Sequence, residues 1–204
     1  MIETLISFSI ATLALAISPG PDNIYVLTQS LINGTKSGVA TTAGLISGCI
    51  VHTTLLAFGI SAIITASESL FYGIKVLGAC YLLYLAYMVF KSDHSILLSD
   101  DAPKRSYWML FKTGVIMNLV NPKVMIFFLA FFPGFLWEKD GNTVVQFYIL
   151  GAVFMAVSFV VFSGIALLAG RISDFITEQK GVGIVLKWLQ IVVFVGIALY
   201  IIVD

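Results

Sequence analysis

The chemistry-bearing residues of this chain are few, and most sit where a charge is expensive. Asp22 is the one acidic residue deep within an apolar stretch. It follows Ser18-Pro19-Gly20-Pro21, inside a hydrophobic run that reaches from about Leu5 to Ile32. Ionisable groups at membrane depth usually mark a solute or proton pathway. A carboxylate there has three uses: it can hold a substrate ammonium, carry a proton, or stabilise the start of a half-helix. Lys123 stands in a second broken stretch, Asn121-Pro122-Lys123. It can offset Asp22, bind a substrate carboxylate, or snorkel to an interface on its long stem. Asn23, Asn118 and Asn121 can hydrogen-bond a zwitterion or the unwound backbone itself. His52 can relay protons near neutral pH or serve as a satisfied packing residue.

These residues need elements to hold them. Two prolines and a glycine cannot continue a regular helix, since each proline removes a donor and clashes with the preceding turn. The flanks Leu5–Ile17 and Ile24–Ile32 are each too short to cross a bilayer, which takes about 20 residues, but together they suffice. The expectation is one span of two half-helices, unwound at Gly20, with Pro19 and Pro21 as breakers. Such a break is tolerated only where it is buried in protein or lines a wet cavity. The fourth span repeats the pattern, with Tyr107–Val120 and Val124–Phe132 on either side of Pro122. The amides at each half-helix start suit an anionic group.

The other spans are expected over residues 38–64, 74–90, 144–169 and 183–203. Ala40, Gly44, Gly48 and His52 recur every four residues along one face of the second, which lets another helix approach closely. Polar loops are expected over 91–106, with Asp93, Asp100, Asp101 and Pro103, over 138–143, and from Arg171 to Val182. With 59% hydrophobic residues, 11% charged and a mean hydropathy of +1.03, the chain is an integral membrane protein. Soluble domains carry about 25% charged residues. The formal net charge of zero gives no reason to expect nucleic acid as a partner. Cys49 and Cys80 lie in apolar runs and read as buried hydrophobes rather than a disulfide or metal pair. A cleaved leader is disfavoured, because the first residues carry Glu3 and no Lys or Arg.

Six spans place both termini on one side. With the termini outside, inner loops and span edges hold Lys36, Lys91, Lys104, Arg105, Lys112, Arg171, Lys180 and Lys187, against Lys75 and Lys139 outside. That bias puts both termini outside the cytoplasm. Matched proline breaks at the starts of both halves predict an inverted three-plus-three repeat, 1–90 and 107–204 joined by a cytoplasmic linker over 91–106. In transporters such paired breaks point to the substrate site.

At these residues the chain resembles a known family. Ser18-Pro-Gly-Pro-Asp22 and Asn118-Leu-Val-Asn-Pro-Lys123 are similar to the two signatures of the LysE/RhtB exporters of lysine, homoserine and threonine. Gly78-Ala-Cys-Tyr-Leu-Leu-Tyr-Leu85 is similar to the family's third-span pattern. The resemblance implies efflux of amino acids or close relatives across the inner membrane, driven by the proton gradient. The partners it implies are a small-molecule amino acid, the proton and the lipid bilayer, and a homo-oligomer is compatible with the chain. No cofactor, metal or enzymatic activity is expected. An intramembrane enzyme built on Ser18, Asp22 and His52 is conceivable, but no spacing demands it. A channel or cation exporter would want several facing carboxylates, and only Asp22 lies deep.

Overall fold

The computed structural model describes residues 1–61, 67–92, 104–138, 141–178 and 181–203, and every regular element among them is helical. Asp93, Asp100, Asp101, Pro103, Lys139, Lys180 and the last residues expected in the second span lie outside the described residues.

Helix α1 (Ile2–Ile17) stops at Ser18, whose φ of −60° and ψ of 121° are the extended conformation that a following proline enforces. Helix α2 (Pro21–Asn33) begins with Pro21 in its first turn, where a missing N–H costs nothing. The two are bent by 60° at the break. Gly34 alone turns the chain into α3 (Thr35–Leu55), at φ +83°, a left-handed conformation in which a side chain would be strained. Helix α3 runs on through a wide π-helical turn to Ile60, and α4 (Glu68–Lys91) forms the third span.

The second half repeats these events. Helix α5 (Tyr107–Val120) ends at Asn121, α6 (Pro122–Ile126) starts on Pro122, and the pair bends by 53°. The chain then widens to π geometry over Phe127–Phe131 and tightens to 3₁₀ geometry over Phe132–Phe135. Pro133 lacks the N–H that would continue an α-helix there. Helices α7 (Thr143–Leu167) and α9 (Val182–Val203) complete the bundle, with α8 (Ala169–Glu178) between them. Among the described residues four helices are long and apolar enough to cross a membrane, or up to six spans with each bent pair as one. The protein is an all-α, multi-pass membrane protein.

Two expectations are corrected. Cys80, expected as a buried hydrophobe like Cys49, is exposed. The stretch from Arg171, expected as a loop to Val182, is helical through Glu178. Its Ile172, Phe175 and Ile176 follow the i, i+3, i+4 spacing of an amphipathic surface helix.

Packing follows the internal resemblance of the halves. Helix α3 lies on α5 as α7 lies on α1, and α4 packs on α9. The α3–α5 crossing is close because glycines meet there. A Cβ on Gly44 would run into the Phe111 backbone, and one on Gly114 into the backbone of Thr41 and Leu45. The main core is aromatic. Phe8, Phe127, Phe128, Phe131, Phe132, Phe135 and Phe154 are buried in mutual ring contact, with Phe128 and Phe132 stacked at 4.2 Å and Phe8 edge-on to Phe132 at 4.9 Å. A second, thinner cluster of Val26, Leu45 and Ala166 joins α2, α3 and α7. Glu3 and Tyr200 line one cleft of about 530 Å³, so the two ends of the chain lie on the same side of the bundle.

Candidate functional site

The two breaks, far apart in sequence, meet. Asn121 Nδ2 donates to Asp22 Oδ2 at 2.8 Å, across 99 residues of chain. Asp22 is 7% exposed. With Gly20, Asn23, Asn118, Asn121 and Lys123 it lines a small cavity whose remaining wall is mostly apolar, including Leu45, Cys49, Phe154 and Phe162. The cavity holds about 30 Å³. A water needs roughly 10–15 Å³ by such a measure, so one or two waters fit and an amino acid does not. The Phe cluster lies on its side toward the termini, where Phe154 belongs to both, and Val26, Leu45 and Ala166 lie toward Gly34.

A helix end leaves its last carbonyls without partners, and inside a membrane that is costly. At the first break several of these carbonyls find donors. Ser18 N donates to Ala14 O at 3.1 Å, and Asn23 Nδ2 to Ala16 O at 2.7 Å. Lys123 Nζ reaches across from the other half to Ser18 O at 3.2 Å and Leu15 O at 3.4 Å, with the Phe194 ring 5.4 Å away. A cation at a helix C-terminus is also favoured by the peptide dipoles. At the second break His52 Nε2 lies 3.2 Å from Asn118 O, which makes Nε2 the protonated nitrogen, and its ring packs on Phe128 at 5.4 Å. Each broken end is thus capped by a donor from the opposite half.

Geometry therefore decides among several of the expected uses. Lys123 points inward, not to an interface, and holds two carbonyls rather than standing in a direct ion pair with Asp22. Asn23 satisfies unwound backbone. Asn121 does two jobs: its Nδ2 binds Asp22, and its Oδ1 accepts from Lys123 N at 3.0 Å, capping α6. At the second break the cap therefore takes the amide of Lys123, one of those expected to face an anion. Asn118 donates to Cys49 Sγ at 3.5 Å, while its Oδ1 is buried without a partner, wedged 2.6 Å from where a Gly48 Cβ would sit. Gly48 and His52, predicted on one face of the second span, do share the face that meets α5 at the site.

Sequence reasoning missed Phe154, Phe162 and Ser158, which α7 contributes to the cavity wall. Their spacing of four residues, Phe154-Ser158-Phe162, marks one helical face and was the available signal.

A homoserine/homoserine lactone efflux protein of Salmonella typhimurium is 33% identical over 178 residues, covering 87% of this chain and 86% of that protein. A protein of the same description from Salmonella typhi is 32% identical over the same shares. No solved structure matches the chain. The family model for LysE type translocators matches residues 13–204. The chain belongs to the LysE type translocator family, and it is a membrane transporter rather than an enzyme.

Proposed function

We propose that the protein exports small amino acids or their derivatives, of the homoserine and homoserine lactone kind named for its relatives, across the inner membrane in exchange for protons. The observation that carries this reading is the meeting of Asp22 with Asn121 in a small cavity at the junction of the two breaks. Asp22 is the site's single carboxylate. It can hold a substrate ammonium or a proton, but not both at once, so the two compete for the same oxygens. Loading with substrate on one side and with a proton on the other makes the transport an exchange, with no nucleotide required.

The cavity, too small for an amino acid and flanked by an apolar layer on each side, supports an occluded conformation. Substrate entry requires one wall to part, and the two walls differ. The Val26, Leu45 and Ala166 layer is thin, whereas the Phe cluster is deep. The irregular stretch over 127–135 lacks the regular α-helical bonding that would stiffen it, which suits it to move on the termini side. The corresponding contacts of α1 with α7 and of α3 with α5 support two halves of three spans each, related by inversion. The Lys and Arg bias puts the termini outside the cytoplasm.

The test is transport in inside-out vesicles prepared from cells expressing the protein. An acid lumen should drive labelled L-homoserine inward, and a protonophore should stop it. Uptake that is indifferent to the pH gradient would remove proton exchange from the account.

A further inference from the structure

We infer that the site reads the amino group of its substrate and not the carboxylate. The inference rests on the proposed role of Asp22 and deepens it.

A carboxylate entering this cavity has three places to bind, and each is partly filled or opposed. The first is the Lys123 ammonium. Two of its three protons already point at Ser18 O and Leu15 O, and those carbonyls are the negative end of α1. The one proton left for a substrate carboxylate would draw that charge toward the same carbonyls. The second is the start of α6, where Pro122 has no N–H and Asn121 Oδ1 occupies the amide of Lys123, leaving that of Val124. The third is the start of α2. There Pro21 has no N–H, and Asp22 sits in the first turn with its own negative charge.

For an ammonium the balance is opposite. Asn121 engages only one oxygen of Asp22, which leaves the second for another donor. Asn118 lines the same wall, with its unpartnered Oδ1 buried against Gly48. The carbonyl end of α1 favours positive charge as well. The rest of the wall, from Leu45 and Cys49 to Phe154 and Phe162, suits an uncharged body. The substrate class is therefore a primary ammonium on a small neutral frame. Amino acids whose carboxyl is masked as a lactone, amide or ester should be accepted like the free acids, whereas N-acylated amino acids should be refused. A second cation on the side chain finds no partner in this wall.

The test is exchange in proteoliposomes, using labelled L-homoserine, L-threonine and L-leucine to find the one carried fastest. Unlabelled competitors are then the same amino acid, its amide and its N-acetyl derivative, with homoserine lactone added. A carboxylate held by a charge-assisted bond contributes about 1.5–3 kcal/mol, or tenfold and more. The inference predicts that amide and lactone compete within about tenfold of the free amino acid while the N-acetyl compound does not compete. Amide and lactone weaker by more than that, or competition by the N-acetyl compound, would overturn it. Lys123→Gln keeps one donor for the α1 carbonyls, and the ratio of amide to free acid should not change. Selective loss of the free acid would assign the carboxylate to Lys123. Where that variant does not fold, the competitor series on the unaltered protein decides alone. Absence of any amino acid exchange would defeat the proposed function and this inference with it, whereas exchange of free acids but not amides defeats the inference alone.

Discussion

Adding one methyl group should have opposite consequences at two glycines of this bundle. Gly114 lies in α5 where it crosses α3, and a Cβ there would meet Thr41 O and approach Leu45 N to 2.8 Å. Both are backbone atoms, so no rotamer change can make room and the helices must separate. Overpacking of this kind costs typically 1–3 kcal/mol, offset in part by the roughly 0.5–1 kcal/mol that Ala gains over Gly in a helix. The net for Gly114→Ala is a loss of about 1–2 kcal/mol. At about 2–4 °C per kcal/mol for a chain of this size, the melting temperature in detergent should fall by roughly 2–8 °C. Gly164 in α7 has nothing within 4 Å of its added Cβ. Gly164→Ala should therefore hold or raise the melting temperature by a few degrees at most. Asn118 stands one turn beyond Gly114 on the same face, so a wider crossing also loosens the site, and efflux should fall more than protein level. The assay is thermal unfolding of purified protein followed by size-exclusion or intrinsic fluorescence, with transport measured at matched amounts. If Gly114→Ala stabilises as Gly164→Ala does, the helices do not cross closely there and the packing argument fails.

Other expectations concern the caps and the topology. Asn121→Ala removes both the partner of Asp22 and the cap of α6, and should cost about 1–3 kcal/mol in unfolding together with most efflux; a neutral effect on both would show the bond to be incidental. His52→Gln can still donate to Asn118 O, so efflux and its pH profile should survive, whereas His52→Ala should destabilise; a flattened pH profile in the Gln variant would make His52 a proton relay instead. In a cysteine-free background, cysteines at Ser99 and Asn142 should react oppositely with an impermeant thiol reagent in intact cells, with labelling at Asn142; labelling of Ser99 from outside reverses the orientation.

Much of the scaffold was legible because its signals are local. Proline and glycine act on their own turn, so the ends of α1 at Ile17 and α5 at Val120, and the starts of α2 and α6 at Pro21 and Pro122, follow from the residues themselves. The small-residue stripe along Gly44, Gly48 and His52 likewise announced a close partner, though not that the partner would be α5. What could not be read is which donor meets which acceptor. Lys123 and Leu15 are 108 residues apart, and only the fold brings the ammonium to the broken end of α1 rather than to an interface. The same holds for the choice between a substrate amide and a backbone cap at Asn121, since the side chain is competent for either. The π and 3₁₀ turns over 127–135 were hidden because a run of phenylalanines has no period that distinguishes helix types; only Pro133 hinted at the change. Helix α8 was passed over because charged residues in a connection read as a loop, although its Ile172, Phe175 and Ile176 carried a helical spacing.

The central claim is that one carboxylate, Asp22, alternates between substrate ammonium and proton. Asp22→Asn tests it most directly, because Asn keeps the shape, an oxygen to accept from Asn121, and a helix start about as well capped as before. The measurement is efflux and equal-pool exchange side by side, in vesicles reconstituted with matched amounts of folded protein. The account predicts that both fail, since an ammonium buried without its counter-charge costs several kcal/mol and no proton can be carried in its place. Lost efflux with exchange intact would leave Asp22 with the proton alone, and near-normal efflux would contradict the claim outright, reducing Asp22 to a structural charge at the start of a helix.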